Sequence, residues 1–167
     1  MAVIATLVAG RDGSTSKDGT SAGVSSAADR QSFLTRRRDA DCILIGGNTA
    51  RIEPYHRTPV PVVVISKSLI NPLADNRLAH CWNLAPEPAL DRAIQTFGSR
   101  IHIEAGRTIL TQLIAAGRVD QLELSITEVV DGQNKIDLTT LLSHFTIDSE
   151  RILDGTRMIS ASRKLES

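Results

Sequence analysis

The stretch Ile101-His102-Ile103-Glu104-Ala105-Gly106-Arg107-Thr108 sets an acid, a small residue and a glycine between an apolar strand and an apolar helix. In an open α/β sheet, ligands collect at the carboxyl ends of strands. There a strand-to-helix turn aims free N–H groups and the positive helix end at an anion, most often a phosphate. Small residues at Ala105 and Gly106 let a ligand approach the backbone, and Glu104 adds a carboxylate to the same place. Gly46-Gly47-Asn48-Thr49, after the apolar run Cys42-Ile43-Leu44-Ile45, offers a second junction of this kind. The same glycines would also serve simple tight turns, so these residues alone leave both readings open.

Other chemistry is sparse. Cys42 and Cys81 are far apart, with no Cys-x-x-Cys and no histidines at ligand spacing, which argues against a zinc site or disulfide framework and suits a reducing cytoplasm. Nineteen basic residues balance nineteen acidic ones, and no block of like charge stands out, which argues against nucleic acid or an anionic membrane as partner. The apolar start, residues 1–9, lacks a basic leader region and meets Arg11 and Asp12 too soon to span a bilayer, so it reads as a first buried strand.

The elements that position these groups follow from periodicity. With 167 residues and 41% hydrophobic content the chain fits one domain with one core. Residues 10–26, rich in Gly, Ser, Thr and Asp, form a long loop of the sort that carries function. Ser25 or Ser26 then caps a helix over 27–38. Continuous apolar runs at 42–45 and 60–65 predict strands buried on both faces, a parallel-sheet signature, with a short strand near 81–84 and a helix over 88–97. The strand 101–103 leads into a helix over 107–116, which Gly117 ends. Residues 122–126 alternate, and strands at 145–153 and 158–162 flank the turn Asp154-Gly155. The expected fold is α/β: about eight strands in a mostly parallel twisted sheet, helices on both faces, and a closing antiparallel hairpin.

The order of these segments resembles a known family. ADCILIGGNTARIEP, PVPVVVIS and IHIEAGRTILTQLIAAGRVDQLELSI, preceded by RDGSTS and VSSAADRQSFLTRR, are similar to the reductase domain of the riboflavin-biosynthesis deaminase/reductase family, of dihydrofolate-reductase-like fold. The matched positions are Asp12-Gly13, Ser26 and Arg30, Gly46 and Thr49, Glu104 and Gly106, and Val119-Asp120. The departures are Gly10 where the family has serine, Asn48 and Ala105 in place of glycines, a shortened Glu53-Pro54-Tyr55-His56-Arg57-Thr58 stretch, and a missing proline near Glu128 and Val129. No His-x-Glu with Pro-Cys-x-x-Cys is present, so a deaminase is expected to be a separate protein.

The resemblance implies NADPH-dependent reduction of a ribosylamino-pyrimidine phosphate of the 5-amino-6-(5-phosphoribosylamino)uracil type. The cofactor supplies the chemistry and the protein positions it, so no catalytic nucleophile is named. It further implies phosphate binding by Gly46, Gly47, Asn48 and Thr49 and by Ala105, Gly106, Arg107 and Thr108. Ser66 and Lys67 fall to the 2′-phosphate, and Asp12 and Gly13 to a loop over the nicotinamide. Ser26, Arg30, Arg37, Glu53 and Glu104 would contact substrate. A homodimer in the cytoplasm is the expected setting.

Two alternatives stand beside this reading. Asp29, with Phe33 four residues on, looks like the helix segment that carries the substrate-binding acid of dihydrofolate reductases, which makes dihydrofolate or a pteridine the second substrate class. A non-catalytic nucleotide-binding protein of the same fold is the third reading, suggested by Gly10, Asn48 and Ala105.

Overall fold

The computed structural model describes residues 2–165. Eight strands form one sheet in the order β4-β3-β2-β5-β1-β6-β8-β7. They are β1 (Ala2–Gly10), β2 (Cys42–Gly46), β3 (Val62–Ile65), β4 (Ala79–Trp82), β5 (Arg100–Ile103), β6 (Gln121–Thr127), β7 (Phe145–Leu153) and β8 (Thr156–Arg163). All pairings from β4 across to β6 are parallel, and β8 pairs antiparallel with both β6 and β7. The mostly parallel sheet with a closing hairpin is thus present.

Five helices connect the strands: α1 (Ala27–Arg37), α2 (Gly47–Ile52), α3 (Pro86–Phe97), α4 (Arg107–Ala115) and α5 (Leu138–Ser143). The parallel strands alternate between two apolar layers. Cys42, Leu44, Val63, Ile101 and Ile103 face α3 and α4 through Leu90, Ala93, Leu110 and Leu113. Ile43, Ile45, Val62 and Val64 face Ala50 of α2, Tyr55 and Leu73. Both faces are therefore covered, which is why β2 is buried at every position.

Local chemistry sets the boundaries. Ser26 caps α1 by accepting from the Asp29 N–H at 3.2 Å, and Pro86 sits in the first turn of α3. Gly117, at φ +66°, ends the chain's run out of α4. Asp154 and Gly155, at φ +50° and +76°, give the twist that a two-residue hairpin needs. β3 begins at Val62 because Pro61 has no N–H to pair, and β4 lies two residues earlier than its apolar pattern suggests. Among the described residues no helix is long and apolar enough to cross a membrane.

Candidate functional site

β2, β5 and β1 lie side by side and parallel, so their carboxyl ends share one edge of the sheet. The chain order changes direction there, since β1 connects through α1 to β2 while β5 fills the gap between them. This is where an open α/β sheet leaves a crevice. A cavity of about 680 Å³ opens at that edge. Gly46, Gly47, Asn48 and Thr49 line it from the end of β2, Glu104, Ala105, Gly106, Arg107 and Thr108 from the end of β5, and Arg30 and Arg37 from α1, with Glu53 after α2.

The two strand-to-helix turns sit against each other. A Cβ built on Gly106 would find Thr49 Oγ1 at 3.8 Å as its nearest neighbour, and one on Gly46 would meet Ile109 Cδ1 at 2.8 Å. Neither Gly46 nor Gly106, the residues at the starts of α2 and α4, supplies a capping side chain, so the first-turn N–H groups are left for other partners. Asn48 accepts from Arg51 at 2.5 Å, and Arg107 donates to the Lys135 carbonyl at 3.0 Å, which ties the segment after β6 to the start of α4.

On the floor, Glu104 is buried, with only 2% of its side chain exposed. Its Oε1 accepts from Arg37 Nη2 at 3.1 Å and from the Tyr55 hydroxyl at 3.1 Å. The Arg37 guanidinium lies between two rings, 4.9 Å from the centroid of Phe33 and 5.2 Å from that of Tyr55. Burial pushes the Glu104 carboxyl up to about 7, against the opposing pull of Arg37 and Tyr55. Burial also drives the Tyr55 hydroxyl well above its ordinary value, and the Glu104 charge adds to it. Asp29 is a second buried acid on this wall: Oδ2 accepts from Ser25 Oγ at 2.6 Å, and Oδ1 has no partner among the described residues.

Several expected residues fall elsewhere. The Ser26 hydroxyl is engaged in the α1 cap and accepts from Thr156 Oγ1 at 2.7 Å, so Ser25, one residue earlier, faces the cavity instead. Asp12 and Gly13 do not line the cavity either. Asp12 accepts from the Ser14 hydroxyl and N–H and from the Asp131 N–H, and these bonds, led by the Ser14 hydroxyl, hold it well below the usual carboxylate range. A Cβ on Gly13, whose φ is +86°, would lie 2.2 Å from the Ile136 carbonyl oxygen. This pair therefore locks its loop to the segment after β6. Gly10 has the same explanation: Val129 O would be 2.3 Å from any Cβ there, which leaves no room for a serine. Arg37 is not a free cation for a phosphate, because Glu104 holds it, whereas Arg30 is exposed at the cavity wall. Ser66 and Lys67 follow β3 and do not line the cavity: Ser66 Oγ lies 3.0 Å from where the Cβ of Gly47 would be, and Lys67 is exposed beside it.

Tyr55 is the residue that sequence reasoning missed. It is separated from Glu104 by 49 positions, and the only signal was the shortened stretch that contains it.

The family pattern of the RibD C-terminal domain matches residues 1–144. The chain belongs to the RibD C-terminal domain family. No curated protein matches it in sequence. Among solved structures, a diaminohydroxyphosphoribosylaminopyrimidine deaminase/5-amino-6-(5-phosphoribosylamino)uracil reductase from Thermotoga maritima superposes with a TM-score of 0.73 at 11% identity, over 98% of this chain and 56% of that one. RibD of Acinetobacter baumannii gives 0.69 at 14% identity, over 98% of this chain and 58% of that one. A pyrimidine reductase-like protein from Corynebacterium diphtheriae gives 0.73 at 16% identity, over 99% and 92%. The chain spans a little over half the length of the first two proteins. At these identities the likeness is one of fold, and the fold is the dihydrofolate-reductase-like one of the family's reductase domain.

Proposed function

We propose that the chain is an NADPH-dependent reductase of a ribosylamino-pyrimidine phosphate in riboflavin biosynthesis. Membership of the RibD C-terminal family supports an oxidoreductase of this pathway. The observation that carries the reading is the junction of two uncapped helix starts beside a buried acid, all on one cavity.

The residues present fit a dinucleotide. Gly106 faces open space, so a pyrophosphate can reach the backbone there, with Thr49 and Thr108 hydroxyls nearby. Ser66 and Lys67, at the carboxyl end of β3, would meet the 2′-phosphate beside the β2 turn. When bound, the cofactor supplies the hydride. The chain's own work is to hold the sugar carbon in line, with Glu104 at the floor and Arg30 offered to the substrate phosphate. Free Cys42 and Cys81 suit a reducing compartment, so a cytoplasmic setting belongs to this reading. So does a homodimer, because β7 leaves an open sheet edge; light scattering that shows a monomer at tens of micromolar would count against the dimer.

A second substrate class is favoured by one feature. The unpartnered, buried Oδ1 of Asp29 could take the N–H edge of a pteridine. Following loss of reduced-nicotinamide absorbance with the ribosylamino-pyrimidine phosphate and with dihydrofolate, side by side, decides between them. Turnover of neither, with no thermal shift from NADPH, would leave only a non-catalytic protein of the same fold.

A further inference from the structure

Helix α1 stands between the large cavity and a second, smaller one. Arg30, Phe33 and Arg37 line the first, whereas Ser32 and Arg36, four residues apart on another flank of the helix, line the second, of about 250 Å³. No residue lines both. The floor of the smaller cavity is the antiparallel end of the sheet, where strand alternation puts every second side chain on the same face. The register sets Ser125 of β6 beside Met158 of β8 and Arg151 of β7, and in the next row Glu123 beside Ser160 and Ser149. All six line the cavity.

Its donors are not matched within the fold. Arg36 from α1 and Arg151 from β7 share the cavity, and neither makes an ion pair among the described residues. Arg36 Nη1 donates to Ser32 Oγ at 2.5 Å, but Nε is buried without a partner. Burial draws this guanidinium below its ordinary range, and the Arg151 charge acts in the same direction, against Glu123, Asp29 and Glu104. Ser125 is only 3% exposed, and its hydroxyl makes no hydrogen bond among the described residues. Buried donors without partners are costly, so they persist where a ligand completes them. Two guanidiniums and a hydroxyl call for an oxyanion, since the planar fork of arginine matches its oxygens.

The carboxylates decide which oxyanion. Glu150 is held by Arg157, whose Nη2 donates to Oε2 at 3.0 Å. Glu123 Oε1 accepts from Gln121 Nε2 and from Ser160 Oγ, the latter at 2.8 Å, and no cation contacts this acid. A carboxylate in such a place repels a fully ionised ligand but accepts from one that still carries a proton. Phosphate keeps a proton at neutral pH and sulfate does not.

We propose that this cavity is a second anion site, for a phosphate group that retains one proton: Arg36 and Arg151 bind its oxygens, Ser125 donates from the floor, and Glu123 accepts from the P–OH. The site shares no residue with the large cavity and does not rest on the reductase reading.

Calorimetric titration of the full chain at constant ionic strength, at about pH 6 where a phosphate monoester is about half protonated, separates specific binding from general salt effects. Inorganic phosphate should bind saturably, and Arg151→Gln should weaken it at least about tenfold. Arg151 is exposed on an edge strand, so the fold tolerates the change. Arg36→Lys, which keeps the charge and loses the fork, should weaken it at least about threefold. Arg30→Gln, in the other cavity, should leave it within about twofold. Sulfate should bind at least about tenfold more weakly than phosphate, and Glu123→Gln should bring the two within about threefold. Glycerol phosphate bound more tightly than the free ion, and lost in Arg151→Gln, would support the site and make its ligand a phosphate monoester. No saturable phosphate binding, or binding unchanged in Arg151→Gln, overturns the site, as does binding lost in Arg30→Gln instead. Sulfate bound as tightly as phosphate by the unaltered chain overturns the role of Glu123. Absence of turnover with either reductase substrate bears on the proposed function alone.

Discussion

The two halves of the sheet differ in what covers them. β2 is buried at every position and β5 at every position but Arg100, and the cavity-lining turns that open α2 and α4 spring from their carboxyl ends. β7, at the other edge, is exposed at every position after Phe145, although it is nine residues long and pairs with β8 along its length apart from an irregularity at Asp148. A parallel strand needs a crossover connection, and the helices that follow β2 and β5 cover a face and leave uncapped turns at the strand ends. A hairpin strand needs neither. In this molecule the connection that buries the strands also makes the site.

The largest effect should come from cutting into the buried half. Leu44 is fully buried between β2's neighbours and α3, and Leu44→Ala should cost about 2 to 5 kcal/mol by denaturant unfolding. Ile152 in β7 is 73% exposed, and Ile152→Ala should stay within about 0.5 kcal/mol. Similar losses at the two positions would erase the contrast.

The next test concerns pH. Burial pushes Glu104 up to about 7 and His102 down to about 4, from ordinary values of 4.5 and 6.5. The folded state holds a proton on Glu104 that the unfolded chain has released, so this contribution is full below about 4.5 and is lost as pH rises to about 7. His102 works the other way: its folded form refuses a proton that the unfolded chain binds, so stability is gained as pH rises from about 4 to about 6.5. The two nearly cancel in the wild type. Glu104→Gln removes one of them, and urea melts should then show stability rising by on the order of 3 kcal/mol across that window. A variant curve as level as the wild type would mean that neither group is shifted by burial.

The buried half was also the readable half. Cys42-Ile43-Leu44-Ile45 and the valine run announce two-sided burial because nothing polar interrupts them, and Ser26, Gly117 and Asp154-Gly155 mark ends by local rules. α5 was not legible: Leu138–Ser143 is six residues long, too short for a helical period, and only Asp137, which caps it, marks its start. In the site, Glu104 and the two glycine turns carry their own local signal. The Tyr55–Glu104 contact, the capture of Arg37, and the bond from the Asp131 N–H to Asp12 across 119 positions are tertiary, and no spacing rule reaches them.

The cofactor turn gives a smaller effect. Gly106→Val would put a branched side chain where only Thr49 lies within 4 Å, and it should weaken NADPH binding at least about tenfold, near 1.4 kcal/mol, by fluorescence titration of Trp82. The melting temperature should hardly move, since nothing is displaced. Normal affinity in this variant would make the turn purely structural.

The smallest effect belongs to Lys67, and its exposure sets the size. A buried charge-assisted contact to a 2′-phosphate would contribute about 1.5 to 3 kcal/mol, but Lys67 is exposed and makes no ion pair among the described residues, so water and salt screen it. Exposed pairs typically contribute about 0.2 to 1 kcal/mol. Ser66 stands next to it beside Gly47, and its hydroxyl accepts from the Ser68 N–H at 3.1 Å, which orders the turn without adding charge. Lys67→Ala should therefore raise the NADPH dissociation constant by about two- to fivefold at low salt and leave NADH, which lacks the phosphate, unchanged. The difference should shrink as ionic strength approaches that of the cell. A loss shared by both cofactors would place Lys67 on the common pyrophosphate. No loss for either would move 2′-phosphate recognition to another cation, and Arg51, whose Nη1 lies 3.2 Å from where the Cβ of Gly47 would be, is the one within reach.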